Sequence, residues 1–309
     1  MSNNSSLDGS KPLRRVMGDQ GIFVQVFVAV LLCINFLLII TFFTKEAFFT
    51  NMRYILFATA LFSDCINLII TDVLVLFYAF AFPIPMGSCL IFFIVSSLYN
   101  YVTPLTLTAM SLERYVAICM PLYHVELCTR QRALQGILII HSLSFLPSIL
   151  ILITFFSIAT IGFFEKYGIC SVEVFILQRW QGHFRSAIGQ FYFLIMCIII
   201  AFSYIQIMKV AKAASGENKE SIQKGLRTVI LHAFQLLLCL IQLWSPFIEA
   251  AVLQIDLNLY IKIRFFIYVC FSLAPRSLSP LIYGLRDEAF LLALKQYLFC
   301  FAGINKLKL

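Results

Sequence analysis

Asp64, Asp72 and Arg276 stand inside long apolar runs of the sequence. Charge is costly in such surroundings, so residues of this kind pair with one another or serve a function. Arg276 could pair with Asp64 or with Asp72, or stand alone and snorkel towards water. At the end of another apolar run, Glu113-Arg114-Tyr115 sets an acid beside a base. Taken alone, that is an ordinary surface pair worth little. Phe93, Ser96, Ser97 and Asn100 fall on or near one face of a helix, and Trp244-x-Pro246 and Glu249 close a later run. The ten cysteines are scattered without a CxxC pair, which argues against a zinc site or a dense disulfide framework. There is no HExxH or GxSxG, and the acids do not form an obvious catalytic pair. No enzyme activity, cofactor or metal is expected.

The elements that must position these residues follow from composition. Of 309 residues, 61% are hydrophobic and only 12% charged, against roughly 25% charged in a soluble domain. A helix needs roughly 20 apolar residues to cross a bilayer, and a lipid-spanning segment must be a helix or a closed barrel. The apolar runs are long and not alternating, so they read as helices. Spans are expected at Gly21–Phe43, Tyr54–Phe82, Cys89–Ile118, Ala133–Ile161, Ser186–Val210, within Ser221–Leu253, and at Ile263–Tyr283. Asp287–Cys300 alternates charged and apolar residues like a short amphipathic helix lying on a membrane. The expected fold is therefore an all-α membrane protein, a seven-transmembrane helix bundle with a short amphipathic C-terminal helix. Residues 1–20 form an extracellular segment, 21–285 the transmembrane domain and 286–309 a cytoplasmic tail.

The net charge of +8 belongs to loops on the cytoplasmic side and to membrane lipid rather than to nucleic acid. Lys and Arg favour an outside N-terminus, although Lys11, Arg14 and Arg15 oppose it. Asn3 and Asn4 each open an N-x-[ST] sequon, which suits glycosylation on that side.

One segment is far more specific. Met110-Ser111-Leu112-Glu113-Arg114-Tyr115-Val116-Ala117-Ile118-Cys119-Met120-Pro121-Leu122 closely resembles the M-A-x-D-R-Y-V-A-I-C-x-P-L signature of odorant receptors, a branch of the rhodopsin-like G-protein-coupled receptors. Glu113 replaces the usual Asp. Asn35, Leu61-x-x-Asp64 and Ser203-Tyr204 resemble the family's marks in spans one, two and five. Lys224, Thr228 and His232 resemble its sixth-span motif. Ser279-Pro280-Leu281-Ile282-Tyr283-Gly284-Leu285-Arg286 resembles the N-P-x-I-Y-S-L-R end of span seven, with Ser279 replacing Asn. The segments at 211–215 and 275–280 are most similar to a divergent fish and amphibian branch. His141 stands where most rhodopsin-like receptors have tryptophan.

The resemblance implies a disulfide between Cys89 and Cys170. It implies that Glu113, Arg114, Tyr115, Tyr204, Pro280 and Tyr283 serve activation and G-protein coupling. Asn35, Asp64, Asp72, Arg276 and Ser279 would form an intramembrane polar network, in which an Arg276–carboxylate pair replaces the sodium ion that many related receptors hold. A small-molecule odorant would bind between the outer halves of the helices, near Phe93, Ser96, Ser97, Asn100, Trp244 and Glu249. A heterotrimeric G protein, of the stimulatory olfactory type, would bind on the cytoplasmic face of a multi-pass plasma-membrane protein. Span three has no carboxylate at pocket level, which disfavours an amine ligand unless Glu249 supplies the charge. Counted from His232, Trp244 falls about one turn outward of the usual switch position, so switch and packing roles both stay open. The rival readings are a secondary transporter and a receptor for a non-odorant ligand. A transporter would often show two related halves, which the sequence does not.

Overall fold

A computed structural model of the chain describes residues 10–80, 82–170, 172–213, 217–278 and 288–301. It is built almost wholly of helices. In chain order these are α1 (Ser10–Phe43), α2 (Glu46–Thr50), α3 (Met52–Ala79), α4 (Met86–Cys119), α5 (Pro121–Leu127), α6 (Arg130–Phe156), α7 (Ile161–Phe164), α8 (Arg179–Ala213), α9 (Glu217–Leu253), α10 (Leu257–Ile267) and α11 (Glu288–Phe301). Residues 268–278 continue α10, first as a π-helical stretch at Tyr268–Leu273 and then as α-helix.

Five of these helices, α1, α3, α4, α6 and α8, contain stretches long and apolar enough to cross a membrane. The shortest stretch, Gly21–Phe43, has 23 residues, about 34 Å at 1.5 Å per residue. Large apolar side chains face outwards along them, among them Phe23, Ile91, Leu138, Ile153, Phe191 and Ile198. In water such a surface would be untenable, while in lipid it costs nothing.

The central post is α4, which packs against α3, α6, α8 and α9. Pro104 lies inside α4 and Pro147 inside α6 without ending either helix. The bundle core runs from Leu56, Phe57 and Leu61 on α3 to Leu107 and Met110 on α4. Phe290 of α11 is buried and meets Phe48, Tyr54 and Phe57, so the last helix is pinned to α2 and α3 by an aromatic cluster.

Several elements depart from the sequence reading. The fold is not purely α: β1 (Pro83–Pro85) pairs antiparallel with β2 (Tyr167–Ile169), Ile84 opposite Gly168. The proline-rich break after the second span still leaves backbone groups able to pair at a sheet edge. The expected loop reaching Arg185 ends earlier, because α8 begins at Arg179. Gln181 anchors that start: its Oε1 accepts from the Leu177 and Gln178 amides, and its Nε2 donates to the Thr154 carbonyl of α6. The final apolar run becomes helical at Leu257, before the expected Ile263, because Asp256 Oδ2 caps it by accepting from the Leu259 amide.

Candidate functional site

Two polar groupings lie along α4. The first surrounds Asp64 at mid-bundle. Asp64 is fully buried. Its Oδ1 accepts from the Thr103 hydroxyl of α4 at 2.9 Å and lies 3.9 Å from Arg276 Nε. Arg276 Nη1 also donates to the Ser272 carbonyl and Ser272 Oγ, at 2.8 and 3.1 Å. Ser272 lies in the π-helical stretch, four residues before Arg276. Asp72 lies apart from this pair and accepts from Gln25 of α1 at 2.6 Å. The structure thus chooses Asp64 over Asp72 as the partner of Arg276. Asn35 is buried on α1, against Cys65.

Next to this pair, Gln235 of α9 donates to the Pro275 carbonyl at 2.7 Å. Residues 275 and 276 are therefore held by α9 and α3 together. Around them lies a cavity of about 30 Å³, lined among others by Asn100, Tyr101, Thr103, Gln242 and Arg276. That is room for roughly two water molecules.

The second grouping closes α4. Glu113 is buried, with Oε2 3.7 Å from Arg114 Nε and Oε1 3.6 Å from His124 Nε2 of α5. One carboxylate thus faces two basic groups, and α5 is drawn against α4. Its field and burial together push the Cys128 thiol up to about 11, burial being the larger cause. Nearby, Ser111 Oγ lies 3.2 Å from the buried His232 Nδ1 of α9. Tyr115 packs edge-on against Phe202 of α8, and Tyr204 joins the same α8–α9 cluster.

At the opposite end Cys89 and Cys170 are disulfide-bonded, tying β2 to the start of α4. Phe93 packs beneath, 4.9 Å from the Phe175 ring centroid. It is buried in the apolar cluster of that cap. Of the six candidate ligand contacts, Asn100 alone lines the central cavity among the described residues. Ser96 and Ser97 are half-buried on α4. Trp244 is 47% exposed and meets Phe247. Gln242 lines the cavity, and Trp244, two residues on, lies about 200° round α9 from it. Glu249 is engaged by Arg264 Nε at 3.9 Å, and Arg264 Nη1 donates to the Tyr260 hydroxyl. His141 spans to Tyr99 and to the Ile137 carbonyl within the bundle. Asn3, Asn4, Ser279, Pro280 and Tyr283 lie outside the described residues.

The sequence reading missed Thr103, His124, Gln235 and Gln242. Each is a polar residue in or beside an apolar run, a weak signal that only the helix packing resolves.

Acid–arginine pairs at the end of the central helix and at mid-bundle, with a disulfide at the far end, mark a helical membrane bundle. The family model described as "7 transmembrane receptor (rhodopsin family)" matches residues 34–283, and the chain belongs to that family. It is a multi-pass membrane protein. It is 42% identical over 299 residues to Odorant receptor 131-2 of Danio rerio, covering 97% of this chain and 91% of that protein. That is the branch which the Met110–Leu122 segment resembles.

Proposed function

We propose that the chain is a G-protein-coupled chemosensory receptor that binds a small odorant from outside and activates a heterotrimeric G protein in the cytoplasm. The observation that carries this reading is the pairing of buried Glu113 with Arg114 at the end of α4, within a chain of the rhodopsin family. In this reading α9 and the α10 segment supply spans six and seven, and α11 lies along the inner membrane surface. Residues 1–20 face outwards and carry glycan at Asn3 or Asn4. Residues 21–285 form the receptor domain, and 286–309 the cytoplasmic tail. Arg114 is held by Glu113 at rest, while Tyr115, Tyr204, Pro280 and Tyr283 shape the G-protein cleft. Coupling runs through the stimulatory olfactory type.

The sodium ion that many related receptors hold is replaced at the Asp64 site. The Arg276 guanidinium already brings a cation there, and the adjacent space holds only about two waters. An amine ligand is disfavoured further, since Glu249 is engaged by Arg264. The reading is tested by an odorant panel on cells that report cyclic AMP, with Arg114→Ala at matched surface expression as control. Loss of the evoked response in that variant supports the assignment. A response of undiminished size overturns it, as would substrate flux without G-protein activation.

A further inference from the structure

The inner halves of α8 and α9 pack through Ile200, Ile207, Val229 and Leu236 but leave a gap to one side. A crevice of about 330 Å³ opens between them, with Ile200 and Tyr204 on one wall and Val229 and Ile230 on the other. Its volume falls in the range of sites that hold small ligands. Its cause is local: Ala201 and Ala233 face the gap and leave it unfilled. The lining is almost wholly apolar, and Ala201, Ile230 and Ala233 are exposed, so the crevice opens sideways onto the lipid-facing surface.

Three cations lie at the inner end of this crevice. Arg227 sits less than one turn before Ile230 on α9, and Lys209 and Lys212 lie one and two turns beyond Tyr204 on α8. Lys212 follows Ala201 by eleven residues, close to three full turns, so it shares the crevice-facing side of α8. All three are exposed. None forms a salt bridge with an acid among the described residues. An apolar slot open to lipid, with exposed cations at its mouth, has the chemistry of an amphiphile with a negative head.

We propose that this crevice is a specific site for an anionic phospholipid. One acyl chain lies in the slot between Ala201 and Ala233, and the headgroup rests on Lys212 and Arg227. Cations beside a membrane surface attract anionic lipid in any case; the slot adds a place for the chain, so the lipid is held rather than merely concentrated. Because α8 and α9 form its two walls, the bound chain would oppose or favour any movement of α9 against α8. The inference needs only that the chain resides in a membrane, and it stands or falls apart from the odorant assignment.

The test uses the full-length receptor in lipid nanodiscs, with spin-labelled phosphatidylserine and spin-labelled phosphatidylcholine as probes of relative association. Each basic residue is expected to add about fivefold to the preference for the anionic lipid. The wild type should show a motionally restricted phosphatidylserine population. Lys212→Gln with Arg227→Gln should lower the preference about twentyfold, and Lys212→Arg with Arg227→Lys should retain it. Ala233→Phe, which fills the slot and leaves every charge in place, should abolish the restricted population. Lys262→Gln, remote from the crevice, should change nothing. If the charge variant loses the preference while Ala233→Phe keeps it, the cations are a diffuse patch and the site is refuted. If Ala233→Phe alone has an effect, the occupant is a neutral lipid or a sterol, and the anionic assignment is refuted. Equal association of both probes with the wild type overturns the whole proposal.

Discussion

Replacing Arg276 by Met removes the cation that α10 brings to Asp64. Asp64 is fully buried, and the Arg276 side chain is only 11% exposed, so solvent screens the pair little. Breaking a buried pair by deleting one partner costs about 3–5 kcal/mol. The 3.9 Å separation is longer than a strong charge-assisted bond, and Thr103 still donates to the carboxylate. The lower end applies, about 3 kcal/mol. At roughly 2–4 °C per kcal/mol, the apparent unfolding midpoint of purified receptor should fall by about 6–12 °C. Asp64→Asn alone leaves a buried guanidinium facing a neutral amide and should also destabilise. The double variant removes both charges and should recover most of the loss, giving a coupling of about 2 kcal/mol. The assay is a thermal shift on all four proteins in one lipid composition. If the two single effects add to within about 0.5 kcal/mol, the residues do not interact and the assignment fails.

Four further expectations follow from the same geometry. Exchanging sodium for choline should leave the wild-type midpoint unchanged, whereas Arg276→Ser should acquire a sodium-specific rise; a saturable sodium shift in the wild type would contradict the built-in cation. Glu113→Gln releases Arg114 from its acid and should raise basal cyclic AMP severalfold at equal surface expression, and an unchanged basal level would count against the restraint. Cys170→Ser opens a covalent loop spanning 81 residues of sequence, which should cost about 4 kcal/mol and show as reduced surface expression and a lower midpoint. Cys128 stays a neutral thiol until pH approaches about 11, about 100-fold less thiolate at neutral pH than an ordinary thiol; site-resolved alkylation should be slow and should quicken in Glu113→Gln.

How much of this was legible in sequence depended on the kind of signal. Apolar runs declare their own length, so the five long spans could be placed without any packing. The Met110–Leu122 segment marked the end of α4 because it is continuous in sequence. Contacts between helices were legible only as a choice: Arg276 had two candidate carboxylates, and packing gave Asp64 to it and Asp72 to Gln25. Helical phase was the least readable property. Trp244 and Gln242 are two residues apart, and hydropathy does not say which of them faces inwards. The π stretch at Tyr268–Leu273 shifts phase again, and no composition signal announces it. Polar residues such as Thr103 and Gln235 gain meaning only from the neighbour they meet.

The size of the central cavity bears on how a ligand could act. At about 30 Å³ it admits water but no molecule with several carbon atoms, whereas small-molecule sites usually have roughly ten times that volume or more. An odorant that reaches the level of Asn100 must therefore part the walls. Those walls are held together by Thr103–Asp64 between α4 and α3, Asp64–Arg276 between α3 and α10, and Gln235–Pro275 between α9 and α10. Parting them is a cost that the ligand's differential affinity for the opened state must offset. Thr103 and Arg114 lie on the same continuous helix, eleven residues or about 16 Å apart. A rigid displacement of α4 at Thr103 would carry through to the Glu113–Arg114–His124 contacts. The two groupings are thus linked through α4, and the ion pair at mid-bundle sets the resistance that a ligand must overcome.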